Sequence, residues 1–471
     1  MSNTIPQSGL NTYKKAYFLG IGGIGMSAIC RYFLSVGMEV AGYDKTPTPL
    51  TDELIKEGAK ITFEDSIESL PEFVHALQKD VLYIFTPAIP KDHIQKNWLL
   101  SQGIELKKRA EVLGIITRDA FCIAVAGTHG KTTTSSLIAH ILYSNGINFT
   151  AFLGGISSNY NSNYIHFTSG ENLMDKPIVV VEADEFDRSF HQLSPNAAII
   201  TAADPDHLDI YGTAEAFFEA FEQFAHSCKG NVYIHSEVAL NPNSDITKAY
   251  RYGFKQSEED TSLDFYYQHV QIKQHKFEFN FSGTFEKVQC GLPGFHNISN
   301  ATAAFALCQE SLKISPEKIA AAIRSFTGVK RRFEYIIDNQ QIAYIDDYAH
   351  HPQELNAIIS SVKALYPEYP ITGIFQPHLF SRTRDFMSGF AHELSQLDEV
   401  WLMEIYPARE LPIEGINSQA LLDMIPNANK RLLSASEILK TLEKQPPRVL
   451  LTLGAGDIDK LVPQIKDLFQ L

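Results

Sequence analysis

Cys122-Ile123-Ala124-Val125-Ala126-Gly127-Thr128-His129-Gly130-Lys131-Thr132-Thr133-Thr134 is the stretch on which the fold turns. Its apolar opening reads as a buried strand and the amphipathic residues from about Thr132 as a helix, so the glycines form a strand-to-helix turn. Successive N–H groups in such a turn make an anion nest. Lys131 reaches the β and γ phosphates of a nucleoside triphosphate, and Thr132 offers a hydroxyl to Mg2+. The loop is the short G-x-x-G-K-T form, because Val125 stands where the longer phosphate-loop pattern has glycine. A bare Gly-Lys turn is the bland alternative, and the strand-turn-helix setting argues against it. Gly127, Thr128, His129, Gly130, Lys131, Thr132 and Thr133 are therefore the candidate triphosphate contacts.

Toward the N-terminus a second glycine turn, Gly20-Ile21-Gly22-Gly23-Ile24-Gly25, follows a strand at Tyr17–Leu19 and precedes a helix with Ile29, Phe33 and Val36 on one face. Such a turn lets helix-start amides approach a diphosphate, and Asp44 ends the next strand, placed to accept from a ribose hydroxyl. Gly22, Gly23, Ile24, Gly25 and Asp44 are the candidate contacts there. The pattern suits NAD and a UDP-sugar equally, and a purely structural turn remains open.

Toward the C-terminus, apolar strands end in acidic clusters. Ile178–Val181 leads into Glu182-Ala183-Asp184-Glu185, and Ala197–Thr201 leads into Asp204-Pro205-Asp206-His207. Strand C-termini present ligands in open α/β sheets, so Thr132, Glu182 and His207 form a candidate Mg2+ group. Mg2+ prefers oxygen, and a hydrogen-bonded structural histidine or a solvated acidic face is the competing reading. His296, Asn297 and Asn300 open a helix of small residues and offer amides to an adenine edge; Arg331 and Arg332 suit phosphate. A helix cap and a solvated basic turn are the alternatives. Asp346-Asp347-Tyr348-Ala349-His350-His351 and Gln376-Pro377-His378-Leu379-Phe380-Ser381-Arg382 close two later strands, with arginine to hold a carboxylate or phosphate and histidines as donors.

Strands alternate with amphipathic segments almost throughout, and 471 residues accommodate about three domains. The predicted fold class is α/β: a Rossmann-like domain over 1–113, a central phosphate-loop ATPase-type domain over 114–327, and a Rossmann-like domain over 328–471. The seams follow the charged patch near Lys107 and the run Lys330-Arg331-Arg332. Between Asn231 and Gln289 the pattern becomes alternating, which predicts a small antiparallel edge sheet. Hydrophobic residues at 44% and charged residues at 20% describe a globular chain. A net charge of −15 argues against a nucleic-acid binder and leaves room for a small basic pocket. Five scattered cysteines read as reduced core thiols. Lys14 and Lys15 precede an apolar run like that of a secretory signal, but four glycines and Arg31 interrupt it, so a cytoplasmic protein without a membrane span is expected.

Taken in order, these motifs resemble the Mur ligases: G-x-G-G-x-G-M-S, GTHGKTTT, EADE, DHLD, GFHNISNA, KRRFE, DDYAHHP and QPHxxSRT. The resemblance implies a three-domain ligase in which a C-terminal domain swings in with the amino acid. The branch it implies uses ATP and Mg2+ to join L-alanine to the lactyl carboxylate of UDP-N-acetylmuramate through an acyl phosphate. By the same resemblance Lys131 steadies the transferring phosphoryl group and Thr132 and Glu182 hold one Mg2+, with His207 at a second. His296, Asn297 and Asn300 face adenine, Arg332 and Asp347 contact the nucleotide, and Tyr348, His350 and Arg382 lie near the amino acid and reacting carboxylate. A recycling ligase that loads a murein peptide onto the same sugar is the alternative; the absence of Asp-Asn-Pro-Arg argues against the diaminopimelate-adding branch. Ala202, Leu379 and the absence of lysine between His207 and Cys228 depart from the family pattern.

Overall fold

A computed structural model describes residues 9–204, 208–240, 248–257, 259–284, 286–408, 410–427 and 429–470. The chain forms two compact units, one of Met1–Gln268, Phe281–Thr284 and Asn300–Ser325, the other of His269–Asn280, Phe285–Ser299 and Phe326–Leu471.

The first unit opens with an all-parallel sheet of β1 (Lys15–Leu19), β2 (Glu39–Tyr43), β3 (Lys60–Thr62), β4 (Val81–Phe85) and β5 (Lys107–Lys108), ordered β3-β2-β1-β4-β5. Both faces of β1 are covered: Ala16 and Phe18 pack with Ile29 and Phe33 of the helix Ile24–Ser35, and Tyr17 and Leu19 pack with Tyr83 and Leu99. That double burial is why the strand reads as an unbroken apolar run. The winding reverses between β1 and β4, so the crevice beyond their C-termini is a switch point of the kind that receives ligands.

The part of the ten-stranded central sheet that begins in this unit contains β6 (Phe121–Ala126), β7 (Phe149–Ser157), β8 (Ser162–Phe167), β9 (Ile178–Ala183), β10 (Ala197–Ile200), β11 (Asn231–His235), β12 (Ala249–Phe254) and β13 (Phe265–Lys273), in the order β8-β7-β9-β6-β10-β11-β12-β13, with β13 passing into the second unit after Gln268. Its pairings are parallel except between β7 and β8. The antiparallel edge expected over Asn231–Gln289 is present in its last part, at residues 276–281 and 288–289, and is corrected in its first: β11, β12 and β13 extend the central sheet in parallel. Alternation reports which face is buried, while connection length decides direction, and the long Lys255–Asp264 segment permits a crossover. Antiparallel pairing appears later, where Gln274 and His275, both with positive φ, make a tight turn out of β13, and where β14 (Lys276–Phe281) meets β15 (Val288–Gln289).

In the second unit β16 (Glu334–Asp338), β17 (Ala343–Asp347), β18 (Ile371–Phe375), β19 (Glu399–Leu402), β20 (Lys430–Leu432) and β21 (Val449–Leu453) are ordered β16-β17-β21-β18-β19-β20. Only the β16–β17 pair is antiparallel, so the C-terminal loops of β17, β21, β18 and β19 emerge side by side. All five cysteines are free and four are buried, in keeping with core thiols. Among the described residues no helix is long and apolar enough to cross a membrane.

Candidate active site

The turn after β6 is shaped by what lies behind it. Gly127 has φ +135°, and a Cβ there would meet the Thr201 hydroxyl and sit 2.8 Å from Ala202 N. Thr201 donates to the carbonyls of His129 and Ala126, and Thr128 N donates to Ala202 O at 3.2 Å. The end of β10 thus straps the loop from below. Gly130, φ +79°, caps the helix Lys131–Ser144, and Asn300 Oδ1 lies 2.5 Å from where its Cβ would stand. Asn300 therefore belongs beside this loop. Thr133 is buried in the first helical turn, and His129 Nε2 lies 3.9 Å from Asp204 Oδ2.

Lys131 Nζ donates to Gly127 O at 2.5 Å and lies 2.8 Å from Glu185 Oε2. Burial alone would depress this ammonium, but Glu185, Glu182 and Asp184 outweigh it and hold Lys131 above the usual lysine range, so it stays charged. Burial pushes the Glu185 carboxyl up, with Lys131 opposing. On neighbouring β9, Glu182 Oε2 accepts from Thr132 Oγ1 at 2.8 Å and from Gly154 N at 3.1 Å. A Cβ on Gly154 would overlap that carboxylate, so glycine is what leaves it room. The other oxygen of Glu182 makes no hydrogen bond among the described residues, and a hydroxyl beside a carboxylate is an oxygen set that suits Mg2+. His207 lies outside the described residues.

At the first glycine loop, Gly22 N donates to Asp44 Oδ2 at 2.7 Å, so the carboxylate expected to meet a ribose also braces the loop. Gly23 is the N-cap of the helix beginning at Ile24, whose first turn carries no acidic residue. Against Gly25 lies the Arg109 side chain, with Cζ 3.1 Å from where a Cβ would be. Arg109 Nη2 pairs with Asp184 Oδ2 at 2.8 Å, and adjacent Lys108 pairs with Asp187 at 2.7 Å. The strand end that holds Glu182 is thereby tied to the glycine loop.

In the second unit, Asp347 uses both carboxylate oxygens on backbone, accepting from Phe333 N at 2.7 Å and Ala349 N at 2.8 Å. Burial lifts it to about 6, with Arg332 opposing. The Tyr348 ring lies 5.1 Å from the Arg331 guanidinium and 5.2 Å from that of Arg332. His350 Nδ1 donates to Tyr348 O at 2.9 Å, which leaves Nε2 as an acceptor. Burial, helped by Arg382, keeps His350 below the usual histidine range; burial and then His350 and Arg382 take His378 down to about 4. Two neutral histidines with rings 6.3 Å apart thus stand near Arg382, a half-buried cation that makes no ion pair among the described residues. His296 sits beside Phe333, and Asn297 Nδ2 donates to Pro293 O at 2.6 Å, closing a local turn.

Residues 15–120 match the Mur ligase family catalytic domain, 125–308 the Mur ligase middle domain and 331–458 the Mur ligase glutamate ligase domain. The chain belongs to the Mur ligase family. Among its Mur ligase relatives, the UDP-N-acetylmuramate–L-alanine ligase of Flavobacterium psychrophilum is 48% identical over 462 residues, covering 97% of this chain and 98% of that one. The enzyme of the same name from Porphyromonas gingivalis is 47% identical over 466 residues, 97% of this chain and 99% of its own. A solved UDP-N-acetylmuramate–alanine ligase from Thermotoga maritima superposes with TM-score 0.80 at 28% identity, over 97% of this chain and 99% of that one.

In this Mur ligase the residues that sequence reasoning passed over are Glu185, Gly154, Arg109 and Asp184 in its pairing role. Lys107-Lys108-Arg109 was legible only as a charged patch at a seam. A cation there gains meaning once the packing of the two sheets of the first unit brings the end of β9 beside the first glycine loop.

Proposed function

We propose that the chain joins L-alanine to the lactyl carboxylate of UDP-N-acetylmuramate with cleavage of ATP to ADP and phosphate, a step of peptidoglycan precursor synthesis. The observation that carries this reading is the meeting of Lys131, Thr132 and Glu182 at the adjoining ends of β6 and β9, in a chain whose alanine-ligase relatives match it nearly end to end. A carboxylate is a poor acyl donor until an oxygen is made a leaving group. The lactyl oxygen takes the γ-phosphoryl group while its bond to ADP breaks; the alanine nitrogen then bonds the acyl carbon, gives up a proton, and phosphate departs with the former lactyl oxygen. Lys131 and the amides of Gly127–Thr133 stabilise charge on the moving phosphoryl group.

Thr132 and Glu182 would hold Mg2+, with His207 as a further candidate, and the bound ion would neutralise phosphate charge. Gly22–Gly25 and Asp44 are assigned to the UDP-sugar, Asn300 to the adenine side of the phosphate loop together with His296 and Asn297, and Arg332 and Asp347 to the nucleotide. Asp347 would act by holding the backbone around Phe333 and Ala349 in place, since its oxygens are occupied there. Tyr348, His350 and Arg382 are assigned to L-alanine and the reacting carboxylate, Arg382 because it is a cation with no ion-pair partner among the described residues. We place the domain seams near residues 114 and 328 and the reaction in the cytoplasm, where ATP and UDP-sugars are available. Phosphate release should require ATP, Mg2+, UDP-N-acetylmuramate and L-alanine together. Equal release with a murein tripeptide in place of L-alanine would refute the assignment.

A further inference from the structure

The helix that starts at the first glycine loop is fastened to the second sheet by a buried polar group that the reaction itself does not use. Asn163 on β8, 0% exposed, donates through Nδ2 to Ile24 O at 2.6 Å and to Ser27 Oγ at 2.9 Å. Its Oδ1 accepts from Arg31 Nη1 at 2.5 Å. Arg31, 7% exposed, is held in turn by Glu57 at 2.8 Å and Glu53 at 3.0 Å. Both polar atoms of the amide are therefore engaged, within an aromatic seam where Phe152 meets Tyr32 and Tyr164 at 5.6 Å each. Apolar packing alone would hold helix and hairpin together without specifying how they are aligned. A fully satisfied buried amide specifies one arrangement.

The same hairpin reaches the phosphate-loop side. On β7, Gly154 N donates to Glu182, the carboxylate beside Thr132. One hairpin thus touches the first turn of the glycine-loop helix at one place and the candidate metal carboxylate at another. Building on the function proposed above, we infer that the β7–β8 hairpin is a strut that sets the position of the UDP-sugar loop against the phosphate-transfer site, with Asn163 as its positioning residue. Anchoring Ile24 O fixes the tilt of the amides at Gly23–Gly25, so losing the anchor weakens the UDP-sugar while leaving the triphosphate loop on β6 intact.

Asn163→Asp tests this, because the near-isosteric side chain keeps an acceptor for Arg31 and removes both donated bonds; Ser27→Ala is the milder companion. Equilibrium affinities for UDP-N-acetylmuramate and for ATP, measured separately on the full chain, should show about a tenfold loss for the UDP-sugar in Asn163→Asp. ATP affinity should stay within about twofold, as for sites without shared partners. Ser27→Ala should shift the same ratio in the same direction by less. Unchanged UDP-sugar affinity, or an equal fall in both affinities, overturns the strut. Should Asn163→Asp fail to fold, the ratio in Ser27→Ala decides by the same rule. A wild-type chain that binds ATP but no UDP-sugar would instead overturn the functional reading on which the strut rests.

Discussion

Replacing Lys131 by alanine removes two things at once, and the structure separates them. The ammonium pairs at 2.8 Å with Glu185, and the two side chains are only 13% and 5% exposed. Taking away one member of such a pair strands the other in a dry site, at about 3 kcal/mol of stability. It also removes the cation that would stabilise the transferring phosphoryl group, which costs about 10²–10³-fold in kcat. Glu185→Gln added to Lys131→Ala removes the stranded carboxylate, so the double variant should regain most of the stability and none of the rate. Urea unfolding and phosphate release, run on wild type and both variants, make the comparison. The deficit of the single variant also has a definite pH sign. With Lys131 gone, burial and the neighbouring Asp184 charge raise the Glu185 carboxyl with no cation opposing them. A raised folded value contributes stability below the unfolded value of about 4.3 and loses it as pH rises through the folded value, so the deficit should be larger at about pH 8 than at about pH 5. Recovery of activity in the double variant, or a single variant that is destabilised yet within about tenfold of wild-type kcat, would refute the catalytic role of Lys131.

Gly154→Ala pushes a methyl into the Glu182 carboxylate and should raise the Mg2+ concentration for half-maximal activity about tenfold or more, as in loss of a residue that orients a metal ligand; an unchanged Mg2+ titration would contradict the assignment of Glu182. Arg382→Ala should raise KM for L-alanine or lower kcat by at least about tenfold with little change in UDP-sugar affinity, and Arg382→Lys should restore only part, since a point charge replaces a planar fork. His140, His296 and His378 are each depressed to about 4 by burial. The unfolded chain takes up protons that these folded histidines refuse, so stability should fall as pH drops from about 6.5 toward about 4. His140→Gln should lessen that fall in a urea series at pH 7 and pH 5, and an unaltered pH slope would show that His140 is not a source of it.

Both glycine loops were legible because each is local: a strand, a turn requiring positive φ at Gly20, Gly127 or Gly130, and a helix, all within about two dozen residues. Asn300 was named from its amide, and the fold brings it to Gly130. Pairing direction at β11, β12 and β13 was not legible, since an alternating strand looks the same in parallel and antiparallel neighbours, whereas the antiparallel edge at β14 and β15 was as expected. The hairpin β7–β8 carries the glycine Gly154 and the asparagine Asn163, neither of which announces its partner in a linear pattern.

What the amino-acid sequence determined by itself was the chemistry on offer: an anion nest with Lys131 and Thr132, acidic strand ends, and a second glycine turn suited to a diphosphate. Those depend on neighbouring residues and on backbone freedom at single positions. Tertiary structure alone decided that Lys131 faces Glu185, that Arg109 joins Asp184 to Gly25, and that Asn163 holds Ile24. The physical reason is that such contacts depend on the order in which strands are laid into each sheet and on how the two sheets of the first unit pack against each other. That order sets which strand ends adjoin, and it follows from how all the apolar faces are buried together rather than from any one segment.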